Sequence, residues 1–216
     1  MEYSVSLRAV TARSGSAELV DVDLSVLRGE VHGIVGPVGA GKSTLVRVLV
    51  GLTRPASGTA TVLGHDAWSD AVALQRRLAY APWEVGMWPQ LSLAEVVAFL
   101  HRVAGDIDET CCLQRLADMG LEASASVGRL SRSQQLVVGR IAALCRPVDV
   151  FVLDDCFTGL PEPLRLGLAA SIAAVHDRGA TVVLTGRPED LRLGDVGRFT
   201  RIREGVVRAP VAGAAN

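Results

Sequence analysis

The chain has 216 residues, a formal net charge of −1 and 49% hydrophobic residues. This length accommodates one large domain or two small lobes that share a sheet, and the near-zero charge provides neither a basic stripe for nucleic acid nor a polybasic patch for a membrane surface. No apolar run approaches the length of a membrane span and the first residues lack signal-peptide features, so we expect a cytosolic chain without a span of its own.

The composition supports two further expectations. The four cysteines, Cys111, Cys112, Cys145 and Cys156, lack the C-x-x-C spacing of metal sites, so we expect free thiols in a reducing compartment. The high hydrophobic content favours a well-buried parallel sheet, a partner surface, or both.

The N-terminal part alternates apolar and polar residues over positions 4–28, which predicts half-buried antiparallel strands joined by a turn at 11–17. The apolar run 31–35 then predicts a buried strand. Apolar residues after position 44 recur at helical spacing, so the order from residue 31 onward is strand, loop, helix.

The loop in that unit fits the pattern G-x-x-x-x-G-K-[ST] at every fixed position. Glycines allow backbone N–H groups to turn towards a β-phosphate, while Lys42 can reach the β and γ oxygens and Ser43 can offer its hydroxyl to Mg²⁺. The following helix directs its positive end at the same anion. The pattern therefore predicts a phosphate-binding loop with these nine residues: Gly36, Pro37, Val38, Gly39, Ala40, Gly41, Lys42, Ser43 and Thr44.

The middle of the chain predicts a short strand at 58–63 and a helix at 69–77. From 92 to 146 there is no convincing strand, which indicates an inserted helical lobe. Its predicted helices cover 92–104, 109–119 and 131–146.

The sheet resumes with an apolar run at 148–153 that ends in Asp154 and Asp155, a pattern typical of a buried parallel strand that delivers acids to a sheet edge. A helix (164–177), a strand (181–184), two short strands (199–203 and 206–208) and a disordered tail (209–216) are predicted to follow.

These elements predict an α/β fold of the P-loop NTPase type. It has a mostly parallel core sheet, N-terminal antiparallel strands and the inserted helical lobe. We expect one domain over 1–208, with a core lobe at 1–82 and 147–208 and a helical lobe at about 83–146.

The order of motifs resembles the ATP-binding subunit of ABC transporters over essentially residues 1–208. The frame Tyr80-Ala81-Pro82-x-Glu84, followed by Pro89-x-Leu91-Ser92-x-x-Glu95, most resembles subunits that serve exporters with separate membrane subunits. The matching landmarks are Walker A (36–44), the Q-loop region (80–83), the signature (Leu130-Ser131-Arg132-Ser133-Gln134), Walker B (151–155), the D-loop approach (158–160), the switch-loop position (181–187) and the closing turn (203–205).

The resemblance implies that the chain binds ATP and Mg²⁺ on Walker A, with Ser43 and Asp154 serving the metal. It also implies head-to-tail pairing with a second ABC subunit, identical or homologous, and a cytoplasmic position at the inner face of the cell membrane through an integral membrane transporter subunit. Asp154 could hold Mg²⁺ through water, as phosphoryl-transfer sites require.

Two catalytic positions depart from the family. Asp155 stands where the family has a glutamate that orients or activates the attacking water, and its side chain is one methylene too short for a base that must lie within about 3 Å of that water. It could equally be an ordinary second carboxylate. Arg187 replaces the switch histidine; it could act like an in-cis arginine finger, or be a solvated surface arginine, but it cannot relay a proton.

The Q-loop and signature also differ. Trp83 replaces the Q-loop glutamine, and an indole has no metal-ligating oxygen, so we expect it to pack, either with Met87 and Trp88 against the membrane partner or within the lobe core. Arg132 and Ser133 replace the two signature glycines. Their side chains should hinder approach to a partner's ATP, although Arg132 could instead offer its guanidinium to phosphate.

Two more positions complete the comparison. Pro161 replaces the D-loop aspartate, and Arg13, or its neighbour Ser14, stands where an aromatic stacks on adenine. Arg13 could stack on the base by a cation–π contact or be a plain turn residue. Because several preorganised groups are replaced together, we expect Mg·ATP binding with weak or lost hydrolysis.

Two alternatives remain for the chain as a whole. One is a degenerate ATP-binding subunit of an exporter, and the other is a non-transport ABC-type regulatory switch or scaffold that binds nucleotide. A P-loop kinase or GTPase is disfavoured because there is no N-K-x-D guanine motif and because the helical lobe and Leu130-Ser131 indicate the ABC family.

Overall fold

The computed structural model describes residues 2–15, 17–84, 86–191 and 196–212. Ten strands and six α-helices occur in these ranges. The strands are β1 (Tyr3–Ser14), β2 (Ala17–Leu27), β3 (Val31–Val35), β4 (Ser57–Val62), β5 (His65–Asp66), β6 (Leu78–Ala81), β7 (Val150–Leu153), β8 (Thr181–Gly186), β9 (Arg198–Arg203) and β10 (Val206–Ala212). The helices are α1 (Lys42–Leu49), α2 (Ala71–Leu74), α3 (Leu93–Ala104), α4 (Glu109–Asp118), α5 (Arg132–Leu144) and α6 (Glu162–His176).

The strands form two sheets. An antiparallel sheet has the order β2-β1-β4-β5, and the main sheet has the order β10-β9-β3-β8-β7-β6. In the main sheet β6, β7, β8, β3 and β9 run parallel, and only β10 pairs antiparallel with its neighbour. The predicted P-loop NTPase fold, with a mostly parallel core sheet and N-terminal antiparallel strands, is therefore confirmed.

The strands β3, β7 and β8 of the main sheet are buried on both faces, and the sheet separates two hydrophobic cores. Along β7, Phe151 and Leu153 face the core that holds α3 to α6, whereas Val150 and Val152 face the core shared with α1 and the antiparallel sheet. Alternate residues of a strand point to opposite faces, so this strand reads as a continuous apolar run because both of its faces are covered.

The three helices between β6 and β7 match the predicted helical insertion. Capping boxes begin two of them: Ser92 with Glu95 starts α3, and Ser131 with Gln134 starts α5. Helix α5 also packs against α6, β6 and β7, so it belongs to the interface between the helices and the sheet. On this element order we propose the division into a core lobe (1–82 and 147–208) and a helical lobe (about 83–146).

Three local predictions are corrected, and strand β6 was not predicted. The predicted turn at 11–17 is wrong, because β1 continues to Ser14 and pairs Ser14 with Ala17. The helix predicted at 69–77 covers only 71–74, and β6 was missed because four residues without a two-residue alternation carry little signal. The predicted disorder from 209 is wrong for 209–212, which extend β10 along β9, while 213–216 lie outside the described residues.

Candidate nucleotide site

The loop between β3 and α1 requires glycine at three positions. Gly39 and Gly41 have φ values of 79° and 101°, in the left-handed region that glycine adopts without strain, and Gly41 caps the start of α1. A Cβ on Gly36 would lie 2.3 Å from the carbonyl oxygen of Ile202 in β9. The loop therefore has the backbone geometry that turns N–H groups inward around an anion at a helix N-terminus.

Lys42 lies inside this loop. Its Nζ donates hydrogen bonds to the carbonyl oxygens of Gly36 at 2.8 Å and Pro37 at 2.9 Å, and only 8% of the residue is exposed. Burial lowers the pKa of Lys42, and the negative charges of Asp155 and Asp154 partly oppose that shift. An anion bound in the loop would supply counter-charge to this desolvated ammonium.

An open cleft of about 360 Å³ lies over the loop. It brings together residues from four separate stretches of the chain: Val38, Gly39, Lys42, Ser43, Trp83, Asp155, Thr158 and Arg187. The structure thus assembles both predicted catalytic residues with the predicted phosphate loop. Arg13 does not line this cleft; it is an exposed residue near the end of β1, paired in register with Glu18.

Asp154 and Asp155 follow β7 directly and are oriented by one threonine of β8. The Thr185 hydroxyl donates to Asp154 Oδ1 at 2.6 Å and accepts from the Asp155 backbone N–H at 2.8 Å. Asp154 is 2% exposed, so its carboxylate has a fixed position. Ser43 and Asp154 offer a hydroxyl and a carboxylate oxygen, the hard ligands that Mg²⁺ prefers, and these donors fit the predicted metal role.

The Asp155 side chain takes part in a small network at the cleft. Asp155 has a φ of 49°, and its Oδ1 lies 2.8 Å from the Thr158 hydroxyl, which also lies 2.7 Å from Asp190 Oδ2. The hydroxyl has a single hydrogen, so it can donate to only one of the two carboxylates at a time. Thr158 therefore holds the Asp155 side chain in place, and that side chain is one methylene shorter than the glutamate of the family.

Arg187 is directed by the same network. Its Nε donates to Asp190 Oδ2 at 2.8 Å, and its Nη1 lies 3.5 Å from Glu189 Oε1. The hydrogen bond to Asp190 raises the pKa of Arg187. The guanidinium therefore remains charged at the rim of the cleft and is oriented by a carboxylate that sequence reasoning did not identify.

A further missed residue is Arg140 on α5, which is 1% exposed. Its Nη2 donates to the Asp155 carbonyl oxygen at 3.1 Å, while Nε and Nη1 have no hydrogen-bond partner among the described residues. Desolvation lowers the pKa of this guanidinium. No motif marked it, because an arginine in an otherwise apolar helical stretch reads as a surface residue.

The structure rules out one of the two expectations for Trp83 and gives Arg132 a partner within the chain. Trp83 lines the cleft and is 49% exposed, so placing it in the lobe core is wrong. Trp88 instead packs edge-on against Phe99, with ring centroids 4.6 Å apart. Arg132, the first residue of α5, forms an ion pair with Glu84, and the side chains of both are more than half exposed.

The phosphate loop connects the parallel strand β3 to helix α1, and the two acids follow β7, which is separated from β3 by β8 in the sheet. This arrangement defines a P-loop NTPase. The profile of a family described as ABC transporter matches residues 19–158, and the chain belongs to this family. The predicted resemblance to ABC ATP-binding subunits is confirmed. In the part of the chain that the structure describes, every helix is too short or too polar to traverse a bilayer.

Curated relatives cover most of this chain. It is 35% identical to a ribose import ATP-binding protein of Rubrobacter xylanophilus over 92% of this chain and 41% of that protein. It is 32% identical to a daunorubicin resistance ATP-binding protein of Streptomyces coeruleorubidus over 85% of this chain and 60% of that protein. It is 29% identical to a Nod factor export ATP-binding protein of Burkholderia lata, over 84% and 62% respectively. The chain thus spans about two fifths to three fifths of the length of these relatives.

Solved structures share the fold. An ATP-binding subunit of an ABC transporter superposes with a TM-score of 0.84 at 21% identity, covering 96% of this chain and 89% of that one. A dimeric ATP-binding cassette in a post-hydrolysis state, bound to ADP and Pi, superposes with a TM-score of 0.83 at 21% identity, covering 98% and 100%.

Proposed function

We propose that this chain is the ATP-binding subunit of an ABC exporter, and that it binds Mg·ATP but hydrolyses it weakly or not at all. One observation carries the proposal. The phosphate loop is intact with Lys42 inside it, while the neighbouring Asp155 and Arg187 lack the chemistry of the family's glutamate and histidine.

The binding half rests on the loop. Backbone N–H groups and Lys42 hold the β and γ phosphates, and Ser43 and Asp154 hold Mg²⁺. When bound, the metal neutralises charge on the phosphate oxygens. Arg13 is exposed at the end of β1, where its guanidinium is free to lie against an adenine ring.

The proposal that hydrolysis is weak or lost is supported by the size of the rate losses that such substitutions cause. Loss of one preorganised stabilising group typically lowers the rate about 10²-fold to 10³-fold. Here the water-orienting glutamate, the switch histidine and both signature glycines are replaced together. Even with strong non-additivity, turnover falls well below that of a competent subunit.

The proposed direction of transport and the proposed partners are inferred from the similarity of this chain to its relatives. Two of the relatives are named for drug resistance and export and one for import. The frame around Tyr80 and Glu84 resembles that of exporter subunits. We propose an integral membrane subunit as one partner and a second ABC subunit as the other. The protein would then lie at the cytoplasmic face of the membrane through that partner.

A second candidate is a regulatory or scaffold protein of the same family that does not serve transport. It is favoured by Arg132, which stands at a signature glycine position and is paired with Glu84 in its own chain. Co-purification with a multi-span membrane protein supports the exporter, whereas a nucleotide-dependent complex with a soluble partner alone supports the scaffold.

Phosphate release from ATP by the purified chain tests the proposed hydrolysis defect. We expect turnover at least about 10²-fold below that of ordinary ABC ATPases, and a rise in Asp155→Glu because the carboxylate then reaches further towards the water. Lys42→Ala should abolish any residual activity. Turnover of the ordinary magnitude, lost in Lys42→Ala, would refute the defect.

A further inference from the structure

Three of the four thiols meet where α4 begins and α5 ends. Cys111 and Cys112 lie in the first turn of α4, and Cys145 caps the C-terminus of α5. The Sγ atoms of Cys145 and Cys111 are 3.4 Å apart. The neighbouring Cys112 thiol and burial raise the pKa of Cys145. All are free thiols in this structure, and the cluster lies outside the nucleotide cleft.

The main chains that carry these thiols are fixed to each other. The Asp108 N–H, at the cap of α4, donates to the carbonyl oxygen of Cys145 at 2.9 Å. Beside it, Arg146 donates from Nε and Nη2 to the two carboxylate oxygens of Asp106, at 2.7 and 2.9 Å. A disulfide between Cys111 and Cys145 would therefore join two backbone segments that are already docked, and the sulfur separation would have to shorten from 3.4 Å to about 2.05 Å.

The three thiols differ in their access to solvent. Cys145 is 5% exposed and Cys112 is fully buried, whereas Cys111 is only partly buried. A soluble oxidant therefore meets Cys111 first. The Nε of Arg115 donates to Cys111 Sγ at 3.2 Å, which favours the thiolate against the effect of burial, and burial on balance raises the pKa of this thiol.

We propose that Cys111 and Cys145 form an oxidisable pair, which a hydroperoxide such as hydrogen peroxide converts into a reversible disulfide. The Cys111 thiolate attacks one peroxide oxygen, the O–O bond breaks, and the hydroxide that leaves takes up a proton to become water. The sulfur of Cys145 then attacks the sulfenic sulfur of Cys111, the S–O bond breaks, and the Cys145 proton leaves with the hydroxyl group as a second water. Two thiols are oxidised and one peroxide is reduced to two waters.

The bond would close a loop from 111 to 145 that contains the whole signature segment and α5. Closing a loop of this length restricts the unfolded chain, so oxidation should raise the melting temperature by roughly 5–10 °C. A dithiol such as dithiothreitol should reverse that shift.

The test uses the full chain treated with hydrogen peroxide, then denatured and alkylated with iodoacetamide. The intact mass should show two fewer alkylated cysteines than in the untreated chain, and peptide mapping should find a disulfide that links Cys111 to Cys145. The variants Cys112→Ala and Cys156→Ala keep both thiols of the pair and should behave like the parent. Cys111→Ser changes only the most accessible thiol and should abolish the link.

Four results would contradict the proposed Cys111–Cys145 pair. The first three are four alkylatable cysteines after treatment, a Cys112–Cys145 link in place of the Cys111–Cys145 link, and a disulfide between two chains. The fourth is oxidation of Cys111 that stops at sulfenic acid. Because the readout is thiol chemistry without nucleotide, failure here leaves the proposed ATP binding untouched.

Discussion

At the scale of single residues, a mutation of Arg187 can decide whether this arginine binds phosphate or is an ordinary surface residue. Its guanidinium lines the cleft and is oriented by Asp190. We predict that Arg187→Ala weakens Mg·ATP binding by about 10-fold to 150-fold, because a charge-assisted hydrogen bond contributes about 1.5–3 kcal/mol. ADP binding should change much less, because the proposed contact is to the γ-phosphate.

Arg203→Ala is the matched control for this prediction. Arg203 is a largely exposed arginine of β9 that pairs with Glu204 and does not line the cleft. Titration calorimetry with both nucleotides measures the four affinities. Unchanged ATP affinity in Arg187→Ala would establish Arg187 as a surface arginine.

The sequence was sufficient to predict the site residues whose roles follow from local spacing. The nine loop residues, Asp154 and Asp155 were placed at the site by motif and strand position, and the cleft contains several of them. Thr185 and Asp190 were not predicted, because Thr185 bonds to both acids only where β8 pairs beside β7, and Asp190 is joined to Asp155 only through the Thr158 hydroxyl. Strand order across a sheet is a long-range property that no local pattern encodes.

At the scale of elements, Glu30 joins three strands of the fold. Its carboxylate accepts from the Leu27 N–H at 2.7 Å, is 2.9 Å from Nδ1 of His32 in β3, and pairs with Arg198 of β9. Burial alone would raise the pKa of Glu30, but the hydrogen bonds with His32 and Leu27 and the charge of Arg198 hold it below its ordinary value of 4.5.

A folded-state pKa below the unfolded value gives a stabilisation that is present above pH 4.5 and is lost as the pH falls through the lowered pKa. We predict that Glu30→Gln lowers the free energy of unfolding by about 1–3 kcal/mol at neutral pH, and that the difference shrinks in acid. Urea unfolding between about pH 7.5 and about pH 2.5 measures the difference across the pH range in which it is lost.

The surface pair of Glu2 with Arg28 provides the control. These side chains are 75% and 56% exposed at a separation of 3.2 Å, so Glu2→Gln should change stability by less than about 1 kcal/mol. If the loss of unfolding free energy in Glu30→Gln stayed the same at every pH, the charge of Glu30 would not be the source of the stabilisation.

Elements with a strong repeating pattern were predictable and short ones were not. The apolar run of β3 and the capped helices α3 and α5 lie within two residues of their predicted limits. The turn predicted at 11–17 is too long, because residues 11–14 belong to β1 and Ser14 pairs with Ala17 of β2. β10 exceeds its prediction because β9 supplies backbone hydrogen bonds to residues without apolar alternation.

At the scale of the whole molecule, one sheet delivers every group of the cleft to its carboxyl edge. β3 leads into the phosphate loop, β7 into Asp154 and Asp155, β8 into Arg187 and β6 into Trp83, all from parallel strands. Ligands of open α/β sheets bind at that edge. The fold therefore keeps the geometry of a nucleotide-binding edge even where the side chains at the proposed catalytic positions differ from those of the family.

The central claim, Mg·ATP binding by a chain with weakened hydrolysis, is tested most directly by titration calorimetry of Mg·ATP into the purified chain and into Lys42→Ala. The account predicts saturable binding that requires magnesium and is lost in the variant, because Lys42 is the buried cation of the loop. Absence of binding to the parent chain, or equal binding by the variant, would contradict it.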